Sequence, residues 1–169
     1  NRTQPSLEAQ LANVADEIAY NHHDIDDGLR AKLLSLELLL EFPLFRDLYD
    51  AALRRWHKSD PKRIQHSVIR AMLNYFVVDL ITATDARLGS APPRNLDEVR
   101  ARHEPTVDFH TTVRTQHLGL KRLLRNDLYH HERVLNNAER ARIVVTELFQ
   151  AFFEGPQLLL VSSAHLEFD

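Results

Sequence analysis

Near the start of this chain, one carboxylate stands alone on the alanine face of a helical pattern. Residues 6–24 read SLEAQLANVADEIAYNHHD. A rotation of 100° per residue gathers Leu7, Leu11, Val14 and Ile18 within about 40° of each other. Asp16 lies opposite that stripe, on a face otherwise made of Ala9, Ala12 and Ala19. Tyr20 and His23 continue the face at about 40° and –20° from Asp16. A helix that is apolar on one side and small on the other reads as buried on both. A carboxylate inside such a helix needs a cation or a hydrogen-bond donor to offset its desolvation. The bland alternative is an aspartate facing solvent, and the small-residue face weighs against it.

A second group of candidates is basic. Lys62, His66 and Arg70 follow an i, i+4, i+8 spacing, with Arg63 beside them. Residues 54–70 carry six bases (Arg54, Arg55, Lys58, Lys62, Arg63 and Arg70) against one acid, Asp60. From Thr3 to Leu29 the balance reverses, with six carboxylates and no Lys or Arg. Two readings fit this asymmetry. An acidic and a basic helix pair as solvated faces, or a carboxylate helix on the metal side faces a helix that grips phosphate. Composition does not choose between them. His130-His131-Glu132 is no chelate, because helix neighbours point about 100° apart. Gly119 stands alone and makes no phosphate-cradling loop.

The elements that position these residues read as helices throughout. Only 4 of 169 residues are glycine, which rules out an all-β fold with a turn every few residues. Short β-branched runs between helices are absent, so a parallel α/β sheet is excluded as well. An all-α fold remains. One helix is expected from Pro5-Ser6 to about His22, and a shorter one from Asp26-Asp27 that stops before Pro43. A third runs from Pro43 to about His57. Asp60-Pro61 then opens a long helix, an N-cap carboxylate followed by a proline whose missing N–H costs nothing there, and it ends near Gly89. Residues 89–109 read as a connection with one helical turn at Leu96–Arg100. Two helices follow, at about 110–131 and 137–154, the last stopped by Gly155-Pro156. The tail Leu158–Val161 is apolar and short.

Charge and cysteine usage bound the partners. A formal charge of –3 gives no global basic field, so nucleic acid is not indicated. Zero cysteines exclude disulfides, thiolate metal sites and a cysteine nucleophile. Charge-free stretches fall far below the length of a bilayer-spanning segment, so no membrane partner is expected. With no signal peptide visible, the expected location is cytoplasmic. The chain opens at Asn1 in helix-entry sequence, so further sequence is expected upstream.

Residues 15–30, ADEIAYNHHDIDDGLR, resemble the HD-domain deoxynucleoside triphosphate triphosphohydrolases, the deoxyguanosine-triphosphate triphosphohydrolase-like family. A second block looks like the C-terminal region of that family: Leu120-Lys121-Arg122-Leu123-Leu124, then Tyr129 and His131, then Ala141-Arg142 through Leu148-Phe149. Pro43-Leu44-Phe45 and the Ile69 to Ile81 helix fall between them in the family's order. The resemblance covers nearly the whole chain, as the C-terminal portion of such an enzyme. It implies an HD-type helical fold, with residues 1–42 as the later part of the catalytic core and 43–169 as a helical C-terminal region.

What the resemblance implies for chemistry is specific. Family members hydrolyse a dNTP to the deoxynucleoside and inorganic triphosphate, with a divalent metal (Mg or Mn) held by an early His, a His-Asp dyad and a later Asp. Asp16 matches the later Asp, and the other three ligands would precede Asn1. The isolated 169 residues are therefore expected to bind no metal and to be inactive. Tyr20 and Asp24 would face the deoxyribose 3′-hydroxyl, which a phenol and a carboxylate can bind together. Lys62, Arg63, His66 and Arg70 are candidates for the phosphates, without a residue-by-residue match. A deoxynucleotide partner and a homo-oligomer follow from the family. An opposing match takes His23-Asp24 as the dyad and Asp79 as the later Asp, but no histidine precedes His22 to act as the early ligand. Two rival functions stand beside this one: an HD phosphohydrolase of another nucleotide, and a non-catalytic helical assembly module.

Overall fold

The computed structural model describes residues 3–56 and 59–158. Helices α1 (Leu7–Arg30), α2 (Leu36–Glu41), α3 (Pro43–Arg55), α4 (Pro61–Ser90), α5 (Leu96–Arg100), α6 (Thr111–Leu123) and α7 (Glu132–Glu154) follow in order, with a π-helical segment, Leu124–Tyr129, after α6. No strand occurs among the described residues, so the fold is all-α, as the composition requires. The tail beyond Leu158 lies outside the described residues.

The chain divides into two compact units, the first ending at Leu128 and the second beginning at Tyr129. The first is organised around α4, which packs on α1, α3 and α6 while α2 packs on α3. Asp60 caps α4 by accepting from Lys62 N at 2.7 Å, with Pro61 in the first turn. Ile64, Val68, Met72, Phe76, Leu80 and Ala83 then bury one stripe of the helix. Phe45, Ile25, Leu39 and Leu120 complete a core with essentially no exposure. By length and composition α4 is also apolar enough to cross a membrane. In the first unit it is the helix on which the core is assembled.

The expected break near His22 does not occur, because α1 runs on to Arg30. Asp26-Asp27 looks like a helix start, yet both carboxylates lie inside α1 and pair with Arg30. Burial of Ile25 and Gly28 on the core side keeps the helix continuous there. Leu34 fits against Gly28 so closely that a methyl group at residue 28 would lie 2.7 Å from its Cδ1. The chain leaves α1 through Lys32, which adopts φ 56° in the left-handed region. Ser35 then caps α2, accepting from Leu38 N at 3.1 Å. Likewise, the single helix expected over 110–131 ends its α-helical part at Leu123, and α7 starts at Glu132 rather than 137. His131 is the reason for the earlier start: its Nδ1 accepts from Arg133 N.

The connection after α4 is held by buried polar groups. Gln10 Oε1 accepts from Thr106 N at 2.8 Å and Val107 N at 3.1 Å, while its Nε2 donates to Pro5 O at 2.9 Å. Arg87 donates to the carbonyls of Asp108 and Phe109. Asp79 accepts from His110 N at 2.9 Å and lies 2.8 Å from His110 Nδ1. These bonds fix the entry to α6.

The second unit contains α7, which buries none of its residues. Val145, Phe149 and Phe153 on it are 64, 69 and 76 % exposed, and the two phenyl rings stack at 6.1 Å.

Candidate functional site

Helix α1 carries Asp16, Tyr20 and Asp24 at successive turns along one side. Asp16 is exposed, Tyr20 is 62 % exposed and Asp24 is half-buried. The reading of α1 as buried on both faces is therefore corrected. Ala12, Ala15, Asp16, Ala19 and Tyr20 are all exposed, and so is Leu11 of the expected apolar stripe, at 51 %. The face that is buried runs through Ile18, Asn21, His22, Ile25 and Gly28. It is set by contact with α4, where Phe76 meets the His22 ring at 5.8 Å. Among the described residues nothing desolvates Asp16, so desolvation gives it no need of a cation.

A metal is tested by the donors present. Among the described residues no group of three or more His, Cys, Asp or Glu side chains could hold a metal ion. Asp16 offers one carboxylate, where Mg²⁺ takes near-octahedral coordination. The described residues therefore do not make a metal site by themselves. Asp79, the later Asp of the opposing match, is engaged by His110 on the entry to α6.

The four basic candidates all lie on the first turns of α4, and the structure divides them between two cavities. Lys62 and His66 line one of about 390 Å³, together with Asp26, Arg30, Lys32 and Gln65. Arg63, His66 and Arg70 line another of about 290 Å³ with Trp56 and Ser67. His66 belongs to both, and its Nδ1 lies 3.4 Å from Asp26 Oδ1. The acidic and basic helices thus do meet, with this pair among their contacts. Trp56 is flanked by the guanidinium groups of Arg55 and Arg63, each 5.3 Å from the ring centroid, a cation–π arrangement. Trp56, Arg30 and Lys32 are residues that sequence reasoning missed. The neighbouring run of bases is a signal that would have found Trp56. Arg30 and Lys32 have none, because they reach this cavity only through the extension of α1.

A third cavity, of about 360 Å³, lies between α1 and α6. Glu17 and Lys121 pair at 3.0 Å and Asp108 and Arg114 at 2.9 Å, so its charges are already matched within the chain. His117 also lines it, and that ring is 3 % exposed with its Nε2 3.2 Å from Asn21 Nδ2.

His22 and His117 are both built in as neutral rings. His22 Nδ1 donates to Ile18 O, leaving Nε2 buried without a partner, and His117 Nε2 accepts from the Asn21 amide. Burial is the main cause that holds both below the ordinary histidine range, with the Glu17 charge opposing it at His117. A depressed folded-state pKa gives stability that is present above the unfolded value near 6.5 and lost as pH falls below it. Thermal unfolding followed from pH 7.5 to pH 5 is expected to show a falling Tm. The acid limb should be shallower in His117→Gln, whose amide oxygen can accept from Asn21 at every pH. An unchanged slope in that variant would remove His117 from the effect.

Residues 107–168 match a family model described as the phosphohydrolase-associated domain. The relatives are narrower. Over 159 residues the chain is 46 % identical to a deoxyguanosinetriphosphate triphosphohydrolase-like protein of Bordetella pertussis, covering 94 % of this chain and 41 % of that one. Similar proteins from Ralstonia nicotianae and Brucella suis are each 44 % identical, over 156 and 154 residues. The family likeness read from residues 15–30 and the α6–α7 region thus extends over nearly all of this chain. The chain spans about two fifths of the length of the curated relatives it matches.

Proposed function

We propose that this chain is part of a metal-dependent dNTP triphosphohydrolase, which converts a dNTP and water to the deoxynucleoside and inorganic triphosphate. The observation that carries this reading is the line of Asp16, Tyr20 and Asp24 on the open side of α1, within a chain 46 % identical to a protein named for dGTP triphosphohydrolysis. In the full-length enzyme Asp16 supplies one donor to a divalent metal, and the remaining donors come from outside these residues. The 169 residues alone hold no metal and turn over no dNTP. Tyr20 and Asp24 bind the 3′-hydroxyl, and the bases at the start of α4 face the phosphates. A homo-oligomer belongs to the same reading and is supported by the exposed apolar side chains of α7.

Sugar binding gives the direct test. A site built to bond a hydroxyl loses heavily when the bond is removed, because its own polar group is left unpaired. Tyr20→Phe and Asp24→Asn in the full-length enzyme should each cost about 1–3 kcal/mol, roughly 5- to 150-fold in kcat/KM. That penalty should shrink sharply on a 2′,3′-dideoxy substrate, which has no 3′-hydroxyl to lose. Equal penalties on both substrates, with a lowered Tm, would make Tyr20 a packing residue and Asp24 a structural one.

A further inference from the structure

We propose that α7 pairs with the α7 of a second copy of this chain, antiparallel, about a two-fold axis at the level of Ile143. This deepens the homo-oligomer of the reading above and rests on that reading for the presence of a second copy. Three features of the helix lead to this geometry.

The first is what α7 leaves open. It is 23 residues long, about 34 Å, and none of its residues is buried. Besides Val145, Phe149 and Phe153, Leu135 and Leu148 are each 50 % exposed. A helix takes most of its stability from packing an apolar face, and the face of this one is uncovered. Exposed apolar surface that is contiguous along a helix marks an interface.

The second is the period. Val134, Ala138, Ala141, Val145, Leu148 and Phe152 are separated by alternating steps of four and three. At 100° per residue all stay within about 40° of Val134, while Arg140, Glu147 and Glu154 lie on the far side. That alternation is the seam of a coiled coil, along which two helices interlock.

The third decides the direction. Side chains on the seam are small in the first half of α7 and large in the second. In a parallel pair Ala138 and Ala141 would face their own copies across a gap, while Phe152 crowded against Phe152 at the other end. Reversing the second helix sets Val134 against Phe152, Ala138 against Leu148 and Ala141 against Val145. Each layer then holds one smaller and one larger side chain, and each layer occurs twice about the axis. Leu135 falls beside Phe149 on the flank and widens the apolar contact. Arg142 alone brings charge to the flanks of the seam, where it approaches its own copy. Glu139 holds that guanidinium through two bonds, at 2.7 and 2.9 Å, so the copies meet as neutralised pairs.

The chain has no cysteine, so introduced cysteines report the geometry. Sedimentation of the 169-residue chain should show its mass rising from one copy to two between about 1 and 100 µM. Leu148→Asp should raise the midpoint concentration about tenfold or more. Ile143→Gln, on the opposite side of the helix, should leave it within about twofold. Where all three proteins are single copies, they should share one Tm within about 2 °C. Direction is read with a short bismaleimide. Leu135→Cys mixed with Phe149→Cys should couple between copies. Leu135→Cys alone should not, because its mate lies about 24 Å away along the antiparallel pair. The same coupling is expected in the full-length protein.

The proposal is overturned by a chain that stays single at about 100 µM, by Leu148→Asp pairing like the wild type, or by Leu135→Cys coupling to its own copy. Coupling that vanishes in the full-length protein overturns it too, since α7 is then covered by a segment of its own chain. None of these readouts measures hydrolysis, so failure of the triphosphohydrolase reading leaves them standing. A full-length protein that is oligomeric and active without this coupling overturns the pairing alone.

Discussion

On the proposed reading, Asp16→Asn in the full-length protein should lower kcat by about a thousandfold or more, while with metal removed from both proteins the variant melts at the wild-type temperature. Asparagine keeps the size and most of the hydrogen bonding of aspartate but removes the negative charge that a divalent cation needs. Loss of a metal that stabilises charge in the transition state is worth several kcal/mol. The exposure of Asp16 on α1 makes the second half of the expectation firm. Its side chain fills no core space in this chain, so its replacement leaves packing unchanged. Steady-state kinetics, metal content and Tm on the same preparations read all three quantities. Wild-type activity with wild-type metal content would make Asp16 an ordinary surface residue and the family alignment of α1 wrong.

The largest effect on stability is expected from Gln10→Ala. Gln10 is 5 % exposed and is the acceptor for Thr106 N and Val107 N, two donors 96 and 97 residues away in sequence. Alanine removes the acceptor and leaves both donors buried and unpaired, at about 1–3 kcal/mol for each group before any water relaxes into the site. A net loss of about 2–4 kcal/mol is expected, which for a chain of this size lowers Tm by roughly 6–12 °C. Gln10→Glu, which keeps an acceptor oxygen, should recover part of the loss. If Gln10→Ala melts within about 2 °C of the wild type, the segment after α5 is held by Arg87 and Asp79 rather than by Gln10.

The boundaries visible in the sequence were those made by short-range chemistry. Asp60-Pro61 announces α4, Asn95 caps α5 by accepting from Glu98 N, and Gly155 ends α7, each through a side chain or a ring within a few residues of the boundary. What the sequence hid depended on contacts between distant segments. Asp26-Asp27 is a sound helix-start signal in isolation, but the burial of Ile25 and Gly28 against the core overrides it. The π-helical segment after α6 has no local signature of its own, and its buried residues are Leu124 and Leu128. The candidate site was legible in the same uneven way. Asp16 is singled out by a periodicity that reads α1 as buried on both faces, which its exposure corrects, and Tyr20 and Asp24 come from the family resemblance alone. The cavity at Lys32 depends on where α1 ends, and that was misplaced.

The continuity of α1 makes it a ruler. With a rise of 1.5 Å per residue, Asp16, Tyr20 and Asp24 are marks about 6 Å apart on one straight rod, spanning about 12 Å in all. Each mark tolerates a change of side chain without moving the others. Length is another matter: one residue inserted between Asp16 and Asp24 advances the later marks by 1.5 Å and turns them by 100°. Tyr20 or Asp24 would then leave the side on which Asp16 stands. An insertion that keeps the three marks aligned must fall at a joint outside α1, and a library that samples loop lengths in this chain should begin after Lys32.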